Sequence, residues 1–137
     1  MSVKRGEAYN RERYVQIKDY SGLLFERNIT PTDIDGLLEF GNKIFVFIEI
    51  KCEGQEMPDG QELALTRLVD DVERAGKDAA LIVATHKTKE DDDIDCANAI
   101  VSKRYRKGEW TTPFTAGTTL KEDIDGFLAF IRASKAA

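Results

Sequence analysis

Two ionisable residues stand where a chain has reason to avoid charge. From Ile44 to Lys51 the run IFVFIEIK is almost wholly β-branched or aromatic, the composition of a strand buried on both faces, and Glu49 and Lys51 interrupt it. Ionised side chains in such a strand cost several kcal/mol unless they are paired, hydrated or bound to a metal. Asp35, upstream in TDIDGLLEF, is the nearest acid at the start of the preceding strand. One reading is a buried or strand-end ion pair. The other is a hard-oxygen site for a divalent cation, with a lysine beside it. An E-x-K tripeptide alone is common, but an acid opening one strand and an acid and lysine two apart closing the next is a narrower arrangement.

The elements that must position these residues follow from local pattern. Gly41 and Asn42 mark a tight hairpin, so Ile34 to Phe40 is the antiparallel partner of Ile44 to Lys51. Period-two alternation puts Phe45, Phe47, Glu49 and Lys51 on one face and Ile44, Val46, Ile48 and Ile50 on the other. Asp35 falls opposite Glu49 only if the loop is odd, as with Gly41, Asn42 and Lys43; Leu37 then faces Phe47 and Leu38 faces Val46.

A helix follows, with Asp59 as N-cap, Glu62 as capping-box partner, Gly76 as stop and a stripe of Leu65, Leu68, Val69 and Val72. Ala79 to Thr85 is a second buried strand, reached by a crossover, and Ala99 to Lys107 adds another. Thr119 with Glu122 caps a last helix whose stripe is Leu120, Ile124, Phe127, Leu128 and Ile131. Residues 7–19 carry a weak helical pattern ended by Ser21 and Gly22. The expected class is α/β, a mixed β-sheet with helices packed on it.

The blocks ITPTDIDGLLEF and IFVFIEIK, followed by a GQELAL helix, resemble the PD-(D/E)xK nuclease superfamily, and small phage- or prophage-borne members above all, over residues 28–86. The resemblance implies a restriction-endonuclease-like core, with an antiparallel meander flanked by helices. It implies Asp35 and Glu49 as ligands of Mg²⁺ or Mn²⁺, and Lys51 as the cation that orients the attacking water or offsets charge at the scissile phosphate. Asp33 is either a third metal ligand or the polar end of the turn after Pro31. Gln61, on the first turn of the helix, matches a glutamine used catalytically by some members, and is otherwise an exposed helix-start residue. Glu7 and Glu12 are candidates for a further acid from a first helix. The implied activity is metal-dependent hydrolysis of DNA phosphodiesters by an endonuclease. A structure-selective, junction-resolvase-like form is expected, because a chain this short has little room for a separate sequence-reading domain, and a homodimer is expected with it. The competing expectation is a catalytically silent nuclease fold that binds DNA or protein; a small-phosphoester hydrolase is a weaker third.

For DNA contact the sequence offers Lys103, Arg104, Arg106 and Lys107, with Tyr105 among them and Trp110 nearby, a basic cluster suited to a phosphate backbone or else a solvated strand and turn. The run from Glu90 to Asp95 reads as a charged loop, without the glycine and spacing of a calcium loop. His86, the single histidine, reads as a polar strand end, and Cys52 as a packing residue.

Composition bounds the rest. The chain of 137 residues has 42% apolar and 33% charged residues, enough for one core without staples. Two separated cysteines and one histidine leave no Cys/His zinc site. A net charge of −5 argues against a surface that wraps nucleic acid all over, but not against local basic patches. There is no P-loop, no nucleophile elbow and no dinucleotide fingerprint. No run is long and apolar enough for a spanning helix, and a single soluble, cytoplasmic domain, encoded by a bacterial host or a phage, is expected.

Overall fold

The computed structural model describes residues 19–90 and 92–136; the helix expected over 7–19, with Glu7 and Glu12, lies outside them but for Asp19. The chain divides into two compact units, Met1–Thr32 and Asp33–Ala137. In the first, the described residues make two short 3-10 turns, Ser21–Leu23 and Glu26–Asn28. The Asp19 carboxylate accepts from the backbone N–H and hydroxyl of Ser21, which holds its pKa below the usual carboxylate value.

The second unit contains the sheet. Strands β1 (Gly36–Phe40), β2 (Ile44–Cys52), β3 (Asp78–His86), β4 (Ile100–Arg106) and β5 (Glu109–Thr111) lie side by side in chain order. Helix α1 (Asp59–Arg74) joins β2 to its parallel neighbour β3, and α2 (Leu120–Ala136) closes the unit. All other pairings are antiparallel, so the sheet is mixed. The antiparallel meander implied by the resemblance is, ahead of the crossover, a two-stranded hairpin among the described residues; a true meander, β3–β4–β5, follows the crossover instead.

The β1–β2 loop is the odd one the sequence calls for. Gly41 and Asn42 take left-handed φ values of 57° and 60°, and the Lys43 N–H closes the turn on the Phe40 carbonyl at 3.0 Å. The register sets Leu37 opposite Phe47 and Leu38 opposite Val46. Every residue of β3 from Ala79 to Ala84 is buried, so the central strand carries no charge between its ends.

Alternation along β2 and β3 then separates two cores. Ile44, Val46, Ala80, Ile82 and Ala84 pack under α2, where Leu120, Ile124, Phe127, Leu128 and Ile131 are all buried. Phe47, Leu81, Val83 and Tyr105 pack under Leu65 and Val69 of α1. Each fully buried Val, Leu, Ile or Phe side chain among them contributes roughly 1.5–3 kcal/mol.

Two local expectations for α1 need correction. The helix begins one residue early, at Asp59, with Pro58 in the cap position; proline has neither a side-chain acceptor nor an N–H, so no capping box forms, and Glu62, the expected box partner, pairs with Lys103 at 2.9 Å instead. Leu68 is 39% exposed, since it projects about 60° from Leu65 around the helix and clears the edge of the buried stripe. At α2 the capping box forms as written: the Thr119 hydroxyl accepts from the Glu122 N–H at 3.2 Å, and Glu122 accepts from the Thr119 N–H at 3.0 Å. β5 has no counterpart in the sequence reading. It forms because Lys107 and Gly108 both adopt positive φ and turn the chain back onto β4.

Candidate active site

Glu49 and Lys51 belong to the α1 face of β2, and the crossover brings the first turn of α1 over them. Glu49 is 2% exposed, the only carboxylate among the described residues sunk so far into the unit. Its Oε1 lies 3.2 Å from Lys51 Nζ. Its Oε2 is buried and has no hydrogen-bond partner. Burial above all, then the neighbouring Asp35 carboxylate, push the Glu49 pKa up to about 7, against the opposing pull of Lys51.

Asp35 reaches this point from the loop just before β1. Continuing the β1–β2 register by one step sets it opposite Glu49. The ladder stops at Gly36, and the Asp35 side chain takes over: its Oδ2 accepts the backbone N–H of Ile50 at 2.7 Å. Unlike Glu49, Asp35 is exposed, so the pair is open to solvent on the Asp35 side.

Gln61 joins the same cluster. Its Oε1 accepts from Lys51 Nζ at 3.0 Å, while its Nε2 donates to the Asp33 carbonyl at 3.2 Å. One amide therefore fixes the lysine of β2 and ties down the segment that carries Asp35. Asp33 is linked to the cluster through its backbone carbonyl. Among the described residues no group of three or more His, Cys, Asp or Glu side chains gathers to hold a metal ion, so the acid centre is a pair, Asp35 and Glu49. That pair suits a hard divalent cation: both donors are carboxylate oxygens, Glu49 Oε2 is buried without a partner, and Mg²⁺ commonly takes one or two carboxylates and keeps waters in its other positions.

The expected DNA-contacting residues do not form one patch, because alternation along β4 divides them. Lys103 is on the α1 side, bonded to Glu62 and stacked 4.0 Å from the Trp110 ring centroid. Glu62 follows Gln61, which brings Lys103 and Trp110 to the site's flank. Arg104 and Arg106 turn the other way, to α2: Arg104 pairs with buried Asp123 at 2.5 Å, and Arg106 lies 5.2 Å over Phe127. Lys107 sits in the β4–β5 turn, its N–H donating to the Glu73 carboxylate. His86 ends β3 beside Cys52, and its Nδ1 accepts from the Thr88 N–H at 3.1 Å.

One neighbour escaped the sequence reading. Cys96, in a 3-10 turn after the acidic loop, feels the negative charges of Asp35 and Asp95; partial burial first and these charges next raise its thiol pKa. No spacing signal links a cysteine so far along the chain to Asp35.

Compared with protein-family models, with curated proteins and with solved structures, the chain shows no match. No helix among the described residues is long and apolar enough to cross a membrane.

Proposed function

We propose that the chain is a Mg²⁺- or Mn²⁺-dependent DNA endonuclease whose working residues are Asp35, Glu49, Lys51 and Gln61. The observation that carries the reading is the convergence, from three separate segments, of a buried carboxylate with an unpartnered oxygen, a second carboxylate open to solvent, and a lysine fixed between acid and amide. An ordinary structural ion pair, such as Arg104–Asp123, needs no second acid; an orphan oxygen alone would not set the site apart, since Asp123 Oδ2 is buried and unpartnered too.

Asp35 and Glu49 would hold the ion, which when bound polarises a phosphate and makes water a better nucleophile. Glu49 must give up its proton to serve as a ligand, and with its pKa near 7 it does so close to neutrality. Lys51 Nζ, 3.2 Å from Glu49 and still partly exposed, can hold a water or a phosphate oxygen. Gln61 is a positioning residue: it holds Lys51 Nζ and is held in turn by the Asp33 carbonyl. Lys103 is the member of the basic cluster on the site's side of the sheet, and we assign DNA contact to it before Arg104 and Arg106.

The test is a panel of supercoiled plasmid, linear duplex, single strand and four-way junction, each with Mg²⁺, Mn²⁺ or EDTA. Cutting that requires the metal supports the reading and ranks the substrates. DNA binding without cutting on any of them, and without divalent-ion binding, supports the silent module instead.

A further inference from the structure

At the opposite end of β2 from Glu49, the β1–β2 loop, the α1–β3 connection and the end of α2 border a groove of about 800 Å³ whose lining includes Phe40, Lys43, Lys77, Asp78, Arg132 and Lys135. We infer that this groove is a binding site for a nucleoside phosphate, separate from the acid pair. Glu49 is five residue steps along β2 from Ile44, roughly 17 Å.

The groove presents three kinds of chemistry together. Phe40, Ile44 and Ile131 make an apolar wall. Four cations surround it, and they come from different places: Lys43 from the β1–β2 loop, Lys77 from the α1–β3 connection, Arg132 and Lys135 from the end of α2. Cations in a helix's last turns are favoured by its dipole alone, so Arg132 and Lys135 by themselves would signify little. Lys77 likewise follows the C-terminus of α1, its N–H on the Val72 carbonyl at 3.4 Å and its ammonium 5.4 Å over the Phe45 ring, but Lys43 has no such reason to be there. In a chain of net charge −5, four cations facing one carboxylate is a marked local excess.

The carboxylate is Asp78, whose side chain is 17% exposed and 3.5 Å from Lys135. A simple polyanion would find it repulsive. A nucleoside phosphate does not, because a carboxylate accepts from sugar hydroxyls or a base amino group while the cations take the phosphates. The base has the apolar wall and the Phe40 ring, over which Arg132 stands at 6.0 Å. The frame is fixed before any ligand arrives: Lys77 Nζ is held by Asn42 Oδ1 at 2.6 Å, and the Asp78 N–H by the Lys43 carbonyl at 3.0 Å. The volume is in the usual range for small-ligand sites.

The nucleoside phosphate can be free or at a strand terminus. Calorimetry in EDTA at low salt separates the sources without any cleavage, using ATP, inorganic tripolyphosphate, and a short oligothymidylate with and without a 5′-phosphate. The inference predicts that ATP binds at least about tenfold more tightly than tripolyphosphate, and that K43E/R132E weakens ATP binding by at least about tenfold. Both residues are exposed, so the variant should fold; an unchanged melting curve checks this, and K43A/R132A is the milder second variant. E49Q should bind ATP as the parent does, which makes the result independent of the nuclease reading. Preference for the 5′-phosphorylated strand over its unphosphorylated form assigns the site to strand ends; equal or absent binding of the two assigns it to free nucleotide. No binding of ATP, equal binding of ATP and tripolyphosphate, or ATP affinity untouched by both double variants overturns the inference.

Discussion

Asp35 Oδ2 accepts the backbone N–H of Ile50, the residue between Glu49 and Lys51, at 2.7 Å. A side chain thus replaces the next rung of the β1–β2 ladder and holds one acid of the candidate site against the strand that supplies the other. Asp35 consequently has two separable roles, as ladder acceptor and as negative charge. D35N keeps an acceptor oxygen and loses the charge, whereas D35A loses both. Chemical denaturation should show D35A less stable than D35N by about 1 kcal/mol, with DNA cleavage lost in both.

Glu49 makes the metal-free protein pH-sensitive. Its folded-state pKa of about 7 lies above its ordinary value of 4.5, so between these the native state holds the proton that the unfolded chain has released. The contribution to stability is therefore best below pH 4.5, declines as pH rises toward 7 and stays lost above, by roughly 3 kcal/mol in all. E49Q removes this term. In EDTA, the melting temperature of E49Q relative to the parent should rise between pH 5 and pH 8, and a pH-independent difference would contradict the assignment.

Gln61 holds Lys51 but has no charge to bind a cation. Q61A should lower the cleavage rate by about tenfold through loss of lysine positioning, while Mn²⁺ affinity measured by calorimetry stays within about twofold of the parent. A large loss of Mn²⁺ affinity would instead make Gln61 part of the metal site.

Arg104 belongs to the fold. Its partner Asp123 is 8% exposed, and removing one member of a buried pair leaves an uncompensated charge. R104A should cost about 3 kcal/mol or more in urea unfolding, whereas K103A, on a half-exposed pair with Glu62, should cost under about 1 kcal/mol and weaken DNA binding.

Much of this was legible in the sequence, and the reasons are local. The turn at Gly41 and Asn42 followed from two residues that tolerate positive φ, and its odd length from the pairings Leu37–Phe47 and Leu38–Val46, which also set Asp35 opposite Glu49. The Thr119–Glu122 box and the α2 stripe followed from three- and four-residue spacings. What escaped depends on tertiary contact. Glu62 pairs with Lys103, a residue 41 positions away. The basic run in β4 reads as one cluster in a list of letters and becomes two surfaces once a strand alternates. The approach of Cys96 to Asp35 is a loop placement with no periodic signal, and β5 is too short to show one.

The most direct test of the central claim is nicking of supercoiled plasmid by the parent chain, E49Q and K51A, at fixed Mg²⁺ and in EDTA. The account predicts nicking by the parent that needs the metal and falls at least about a hundredfold in each variant, with all three proteins folded. Nicking that persists in EDTA, or survives undiminished in folded E49Q, would contradict it.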